Sequence, residues 1–404
     1  MAPAGEFTEA AASFARAVVS VGPLLEALGS RPPLPVRTPR RALEPAVALT
    51  RRLKVTGLAF VPEDGTAPAP AAGAAADTEV FVQIVADRLR PALAALASAA
   101  SGPEEGARAV EAAATAARDT GVARWRAETD ALAADGALLR TYAAGDRSAP
   151  TVVLVSACGM PAEICEPWMR FLSRDHHVVT WESRGLFGAS GGPDDFDRLG
   201  HSVRDQAADL VTVMDYHGVE SAHVMGLCGG AVLALRAAAD HPGRVGSLSL
   251  WHGDYELGRE APKTDHQLNL QALMGMAAED RLSAASINSA LCQSAPATTP
   301  PGLAHLVLLP YADAELFYRY CVLNGAIMTA DVFALLDAVK QPTLVVTSED
   351  DHTAHPEGSR VVAARLSDAR LRVEPHGDHL SLFGAGARLE GLAADFLARH
   401  TVRS

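Results

Sequence analysis

Gly226-Leu227-Cys228-Gly229-Gly230 sets a thiol between two glycines four residues apart, with an apolar run before it (222–226) and an alanine-rich helical run after it (231–239). A strand that passes directly into a helix has to turn tightly. Glycines on either side permit that turn, leave the middle residue standing at the sheet edge, and aim the following N–H beside it. In such an elbow a thiolate is a nucleophile, and the Gly229 N–H is half of an oxyanion hole. A free cysteine is more often a buried structural residue. Partners therefore decide the matter.

Two partners follow in chain order. After the apolar run 342–347 comes Ser348-Glu349-Asp350-Asp351-His352, an acidic turn at a strand end, where a carboxylate that orients a base belongs; Asp351 is the first choice and Asp350 the alternative. After 369–374 comes Pro375-His376-Gly377-Asp378-His379-Leu380. His379 sits in the loop before the last helix and is the favoured general base, with His376 second. Nucleophile, acid and histidine in that order are what an elbow of this kind uses.

The elements that must hold these residues begin at about residue 137. Runs 137–142, 151–156, 177–181, 222–226, 245–251, 342–347 and 369–374 read as strands, several of them fully apolar in the manner of buried parallel strands. Helical stretches at 205–217, 231–239 and 385–400 alternate with them, which predicts a parallel sheet covered on both faces. The alternation stops between 253 and 340, where a helical insert intervenes. Residues 1–135 read as helical, with stretches at 7–28, 41–53 (Pro45 in its first turn), 78–99 and 103–134, and with a low-complexity Ala/Pro/Gly linker over 62–77. The boundaries are thus a helical N-terminal region 1–135, a first core part 136–253, a helical cap 254–340 and a second core part 341–404.

From about 137 to 400 the chain resembles the α/β-hydrolase fold enzymes. Val155-Ser156-Ala157-Cys158-Gly159-Met160 stands where that family has its oxyanion loop, with Cys158 where a histidine is common; the resemblance implies that the Met160 N–H, or that of Gly159, joins Gly229. Trp181-Glu182-Ser183-Arg184-Gly185-Leu186-Phe187-Gly188-Ala189-Ser190 is similar to the family's D-x-R-G-x-G-x-S segment, with one extra residue and Glu182 for the usual Asp. The insert matches the family's helical cap, and residues 1–135 match nothing in it. The departure is the nucleophile, Cys for Ser. A thiol can carry an acyl group as a thioester and pass it to another thiol with its activation conserved, so cysteine tilts the reading toward acyl transfer. The chain accordingly resembles the cysteine-bearing thioesterases and aminoacyl-shuttle acyltransferases of nonribosomal peptide and polyketide pathways. That resemblance implies an acyl or aminoacyl group held on the phosphopantetheine of a carrier protein, no bound cofactor and no metal, and Glu163 and Glu166 beside the oxyanion loop as receivers of a substrate ammonium. The alternatives are a small-ester or lactone hydrolase of dienelactone-hydrolase type and a non-catalytic binding protein.

Composition narrows the partners. The net charge of −13 is uneven: residues 1–150 hold 16 Lys and Arg against 17 Asp and Glu, and the remaining 254 hold 19 against 31. An acidic main body disfavours nucleic acid. The local exception, Arg37, Arg40, Arg41, Arg51, Arg52 and Lys54, opposed only by Glu44, would suit an acidic carrier protein. Five cysteines with no CxxC spacing argue against a disulfide scaffold or a zinc site. The N-terminus has no signal-peptide pattern and no run suggests a membrane span, so a cytoplasmic location is expected.

Overall fold

In the computed structural model the described residues are 4–29, 31–64, 76–99, 103–187, 193–294, 299–300 and 302–400. The chain divides into two compact units, Met1–Arg124 with Ser286–Ala314, and Trp125–Ala285 with Glu315–Ser404.

The first unit is built on helices Ala4–Ser20, Gly22–Leu28, Arg40–Leu53, Ala76–Ser98 and Pro103–Thr120. Phe7, Ala11, Phe14 and Val18 recur at helical spacing and are all buried. The single helix expected over 7–28 is broken at Val21, because Pro23 lacks an N–H and suits the first turn of a new helix. Pro45 lies inside Arg40–Leu53 rather than in its first turn. Two short strands, β1 (Leu34–Thr38) and β2 (Leu58–Pro62), pair in parallel from Leu34↔Leu58 to Thr38↔Pro62, where no strand was expected. Pro35 and Pro62 fit because both strands of a two-stranded sheet are edges. Most of the expected linker, 65–75, lies outside the described residues.

Ser286–Ala314 completes this unit: Cys292, Ala304, Leu308 and Ala312 belong to the same buried apolar cluster as Phe14, Leu24, Phe81 and Leu93. The cap expected as one block over 254–340 is therefore divided. Helical spacing shows that a face is apolar, not which core it meets. The basic cluster is partly spent within the unit, since Arg40 pairs with Asp64 at 2.6 Å, Arg52 pairs with Glu111, and Arg37 donates to the Glu63 carbonyl. Gly5–Leu28 is, contrary to expectation, long and apolar enough to cross a membrane; here its Phe7, Phe14, Val18 and Leu24 are packed in the core.

The second unit starts earlier than residue 136. A small antiparallel hairpin, β3 (Ala131–Leu132) and β4 (Leu138–Leu139), precedes β5 (Thr141–Ala144), so the strand expected over 137–142 is split. Then follow β6 (Thr151–Val155), β7 (His177–Trp181), β8 (Ala222–Leu227), β9 (Val245–Trp251), β10 (Thr343–Ser348) and β11 (Ala369–Glu374). The seven-stranded sheet runs β11-β10-β9-β8-β6-β7-β5 and is parallel except for β5 on β7. Helices Glu166–Leu172, Val203–His217, Gly230–Asp240, Pro356–Arg365 and Ala387–His400 alternate with the strands. The chain leaves β6 to one side for β7 and returns to the other for β8. That reversal opens a crevice beyond the C-terminal ends of β6 and β8, where a parallel sheet places its ligands.

Candidate active site

Cys228 stands in that crevice, one residue past β8, with a left-handed φ of 52°. A side chain rarely adopts this conformation, and its neighbours enforce it. A Cβ on Gly226 would lie 2.6 Å from Ala231 Cα, and one on Gly230 would lie 2.3 Å from the Val155 carbonyl oxygen, so only glycine lets helix Gly230–Asp240 approach β6 and β8 this closely. The Cys228 N–H donates to the Trp251 carbonyl at 2.9 Å, which ties the elbow to the end of β9. Helix Ala314–Met328 covers the turn, with Ile327 Cγ2 3.2 Å from where a Gly229 Cβ would be.

His379 and Asp351, the favoured pair, meet: His379 Nδ1 and Asp351 Oδ2 are 2.9 Å apart, both buried. The second choices find each other instead, at 3.1 Å between His376 Nδ1 and Asp350 Oδ2, on an exposed rim. The two acids are adjacent in sequence, and burial separates them in kind.

Asp351 has every acceptor position used. Oδ1 takes the N–H groups of Thr353 and Ala354 at 2.9 and 2.8 Å, and Oδ2 takes His379 and also His252, whose Nδ1 is 2.8 Å away. Burial works against ionisation, but the hydrogen bonds from His252 and His379 hold this carboxyl well below the usual carboxylate range. His252 was missed by sequence reasoning. The available signal was its place directly after Trp251, where a parallel strand ends at the crevice. Its φ of 48° marks it as a second strained position.

Burial opposes a charge on His379, yet the Cys228 sulfur and the Asp351 carboxylate raise its pKa well above the ordinary imidazole value. Its Nε2 is buried and has no hydrogen-bond partner of ordinary geometry among the described residues. The loop carrying it is anchored on several sides: Trp168 Nε1 donates to the Leu382 carbonyl at 2.8 Å, Ser348 Oγ donates to the Gly377 carbonyl, and the Asp378 carboxylate caps Ser381 N–H at 2.8 Å.

His252, Asp351 and His379 also bring their ligand atoms within 4.8 Å of one another, close enough for one metal ion. Since an ionised carboxylate only accepts, both Nδ1 atoms carry protons toward Asp351, and those protons occupy the lone pairs a metal would need. The cluster is built as a hydrogen-bonded relay.

Of the oxyanion donors, the Gly229 N–H meets no protein acceptor among the described residues. Gly159 is withdrawn: its N–H donates to Ser183 Oγ at 3.0 Å. The Met160 N–H bonds the Ala157 carbonyl at 3.3 Å, long enough to be exchanged cheaply for a developing oxyanion. Glu166 pairs with Arg170 at 2.5 Å, and Glu163 lies against Glu182, where burial and that like charge push it up to about 7. Glu182 itself accepts from Ala162 N–H and pairs with Arg140, and Arg184 is buried in a fork with Asp209 and Asp135. The segment 181–187 therefore braces the fold beneath the oxyanion loop; residues 188–190 lie outside the described residues. Burial pushes the thiols of Cys158, Cys165 and Cys321 up to about 12, as expected of bystanders.

Sheet order, elbow and crevice define an α/β-hydrolase fold. The family model described as "alpha/beta hydrolase fold" matches residues 150–279. Among curated relatives, RutD of Variovorax paradoxus, a candidate carbamate hydrolase by name, is 26% identical over 258 residues, 63% of this chain and 94% of the relative. An L-allo-isoleucyltransferase of Pseudomonas savastanoi pv. glycinea is 25% identical over 263 residues, 64% of this chain and 90% of the relative. Among solved structures, a hydrolase from Pseudomonas aeruginosa PA01 has a TM-score of 0.52 at 22% identity, covering 67% of this chain and 97% of its own. The enol-lactonase from Burkholderia xenovorans LB400 has a TM-score of 0.51 at 22% identity, covering 65% and 97%. The fold and these hydrolase and transferase relatives support an enzyme.

Proposed function

We propose that the protein transfers acyl groups through a thioester on Cys228, with His379 as general acid and base and Asp351 orienting it. The observation that carries this is the 2.9 Å bond from His379 to a fully satisfied, buried carboxylate, in an imidazole whose pKa the elbow thiol raises. In the forward half-reaction the Cys228 sulfur attacks the acyl carbonyl carbon, and the oxyanion that forms is held by the N–H groups of Gly229 and Met160. The intermediate collapses by breaking the donor carbon–sulfur bond, and the departing thiolate takes the proton from His379 Nε2. In the second half an acceptor gives its proton back to Nε2 as it attacks the cysteinyl thioester, and Cys228 leaves.

A thiol donor and a thiol acceptor keep the thioester's activation through both halves. On this reading the donor is an acyl or aminoacyl group on a carrier-protein phosphopantetheine; the carrier enters from thioester chemistry, and the L-allo-isoleucyltransferase similarity supports the transferase form. Similarity to RutD favours a second reading, in which water is the acceptor and the enzyme is a hydrolase. Intact-protein mass spectrometry after mixing with an acyl-pantetheine thioester tests the shared step. An adduct is expected on the wild type and none on Cys228→Ala; equal adducts on both would refute it. Cys228→Ser then separates the readings: transfer to a second thiol falls more than hydrolysis if the enzyme is a transferase.

A further inference from the structure

Besides Glu163 and Glu166, the crevice has another carboxylate in view. Directly beyond β9 the chain reads His252-Gly253-Asp254-Tyr255. His252 binds Asp351. A Cβ on Gly253 would lie 2.2 Å from Tyr255 Cζ, so the Tyr255 ring folds back against residue 253 and fixes the course of the segment. The buried Tyr255 hydroxyl has no hydrogen-bond partner among the described residues and feels the charges of both Asp254 and Cys228. Asp254 in turn feels His379. The segment therefore borders the reacting groups.

Asp254 is held by one side only. Its Oδ1 accepts from Gln267 Nε2 at 2.5 Å. The Gln267 amide cannot be turned the other way, because its Oε1 already takes the N–H groups of Thr264 and His355 at 3.0 Å each. The donor facing Asp254 is thus neutral. Asp254 Oδ2 has no partner among the described residues and is not sealed from solvent. Lys263, whose charge acts on Asp254, has its ammonium engaged by Glu256 and by Gln271 at 2.6 Å. His266 is held toward its neutral form by burial.

Asp254 thus has one fixed oxygen, one open oxygen and no cation bonded to it among the described residues; His379, Lys263 and His266 act on it only through their fields. Burial raises the pKa of Asp254, a desolvation cost that a bound cation would offset. We infer that Asp254 receives an ammonium group of the acyl substrate, so that the acyl groups loaded on Cys228 are aminoacyl groups. The α-ammonium of an aminoacyl thioester is separated from the reacting carbonyl by a single carbon, which suits a carboxylate within the field of His379. This inference rests on the acyl-transfer reading above and adds the substrate class to it.

The test compares loading of Cys228 from three pantetheine thioesters of equal carbon skeleton: valyl, isovaleryl and 2-hydroxy-3-methylbutanoyl. The second lacks the ammonium, and the third replaces it by a neutral hydroxyl. For the wild type, valyl is expected to load at least about tenfold faster in kcat/KM than either neutral analogue, the worth of one hydrogen bond to a charged group. Asp254→Asn brings that ratio toward one, and Asp254→Glu restores part of it. A wild-type ratio near one, or a ratio unchanged in Asp254→Asn, overturns the inference while leaving the cysteinyl thioester standing. Absence of an adduct with all three overturns both. Because the wild-type comparison removes the charge from the substrate side, the inference remains testable if the variants fail to fold.

Discussion

Both edges of the central sheet carry histidines, and they behave in opposite ways. At the C-terminal edge, His379 and His252 share the Asp351 carboxylate, and His379 is drawn toward its charged form by that carboxylate and the Cys228 sulfur. At the N-terminal edge a cleft of about 480 Å3 is lined by His177, His217, His223 and His400. Burial lowers His223 to about 3 and His217 to about 4, the latter helped by repulsion from His177. His223 binds the hydroxyls of Ser247 and Ser249, each at 2.8 Å, and no carboxylate. The residue type is the same at both edges. What differs is whether burial comes with a negative partner, and that decides which histidines can move protons near neutral pH.

The most severe way to break the contrast is to remove the shared carboxylate. Asp351→Asn keeps the volume but turns a pure acceptor into a group that also donates, and a loss of about 10^3-fold or more in kcat/KM is expected from the misoriented imidazole. Adduct formation rate on Cys228, by quenched-flow mass spectrometry, measures it. Replacing His252 by Gln removes one hydrogen bond to that carboxylate, and a loss of about tenfold follows if the bond contributes 1.5 kcal/mol or so.

Titration sharpens the same comparison. In NMR spectra the His379 midpoint should lie well above that of an ordinary imidazole, and Cys228→Ala should lower it by removing the contribution of the sulfur. Because the folded value lies above the unfolded value of about 6.5, protonation of His379 contributes stability that is full below pH ~6.5 and is lost as pH rises through the folded pKa. His223 has the reverse sign. Its stabilising neutral form is present above about 6.5 and lost as pH falls toward about 3, so His223→Gln should flatten the acid limb of a chemical-denaturation profile and leave kcat/KM within about twofold. The smallest effect belongs to Glu163. Raised to about 7, it destabilises the fold increasingly as pH rises from the unfolded value near 4.3 to about 7; Glu163→Gln is expected to raise stability at pH 8 by an amount on the order of 1 kcal/mol and to change little at pH 4.

The C-terminal edge was largely legible from sequence because its chemistry falls at strand ends, and fully apolar five-residue runs such as Thr151–Val155 announce those ends. Choosing Asp351 over Asp350 was possible only as a preference, since the two differ in burial and not in type. His252 escaped because a single histidine after an apolar strand carries no spacing signal; its role comes from β9 lying beside β10, a neighbour relation between distant segments. Asp254 escaped for the same reason, and its Gln267 clamp lies in the helical insert, whose side chains have no assigned place until the chain is folded. In the first unit, β1 and β2 were hidden by prolines and by their five-residue length.

The membership of Ser286–Ala314 in the first unit has a consequence for how the chain can be taken apart. Cys292, Ala304, Leu308 and Ala312 complete a core whose other buried members precede residue 125. The N-terminal unit is therefore not a detachable module: no single cut releases it whole, and a chain beginning at Trp125 would carry an orphaned apolar face inside its own insert. Genetic loss or gain of the N-terminal region in one step would leave that face uncovered, which couples the inheritance of the two segments more tightly than their distance along the chain suggests.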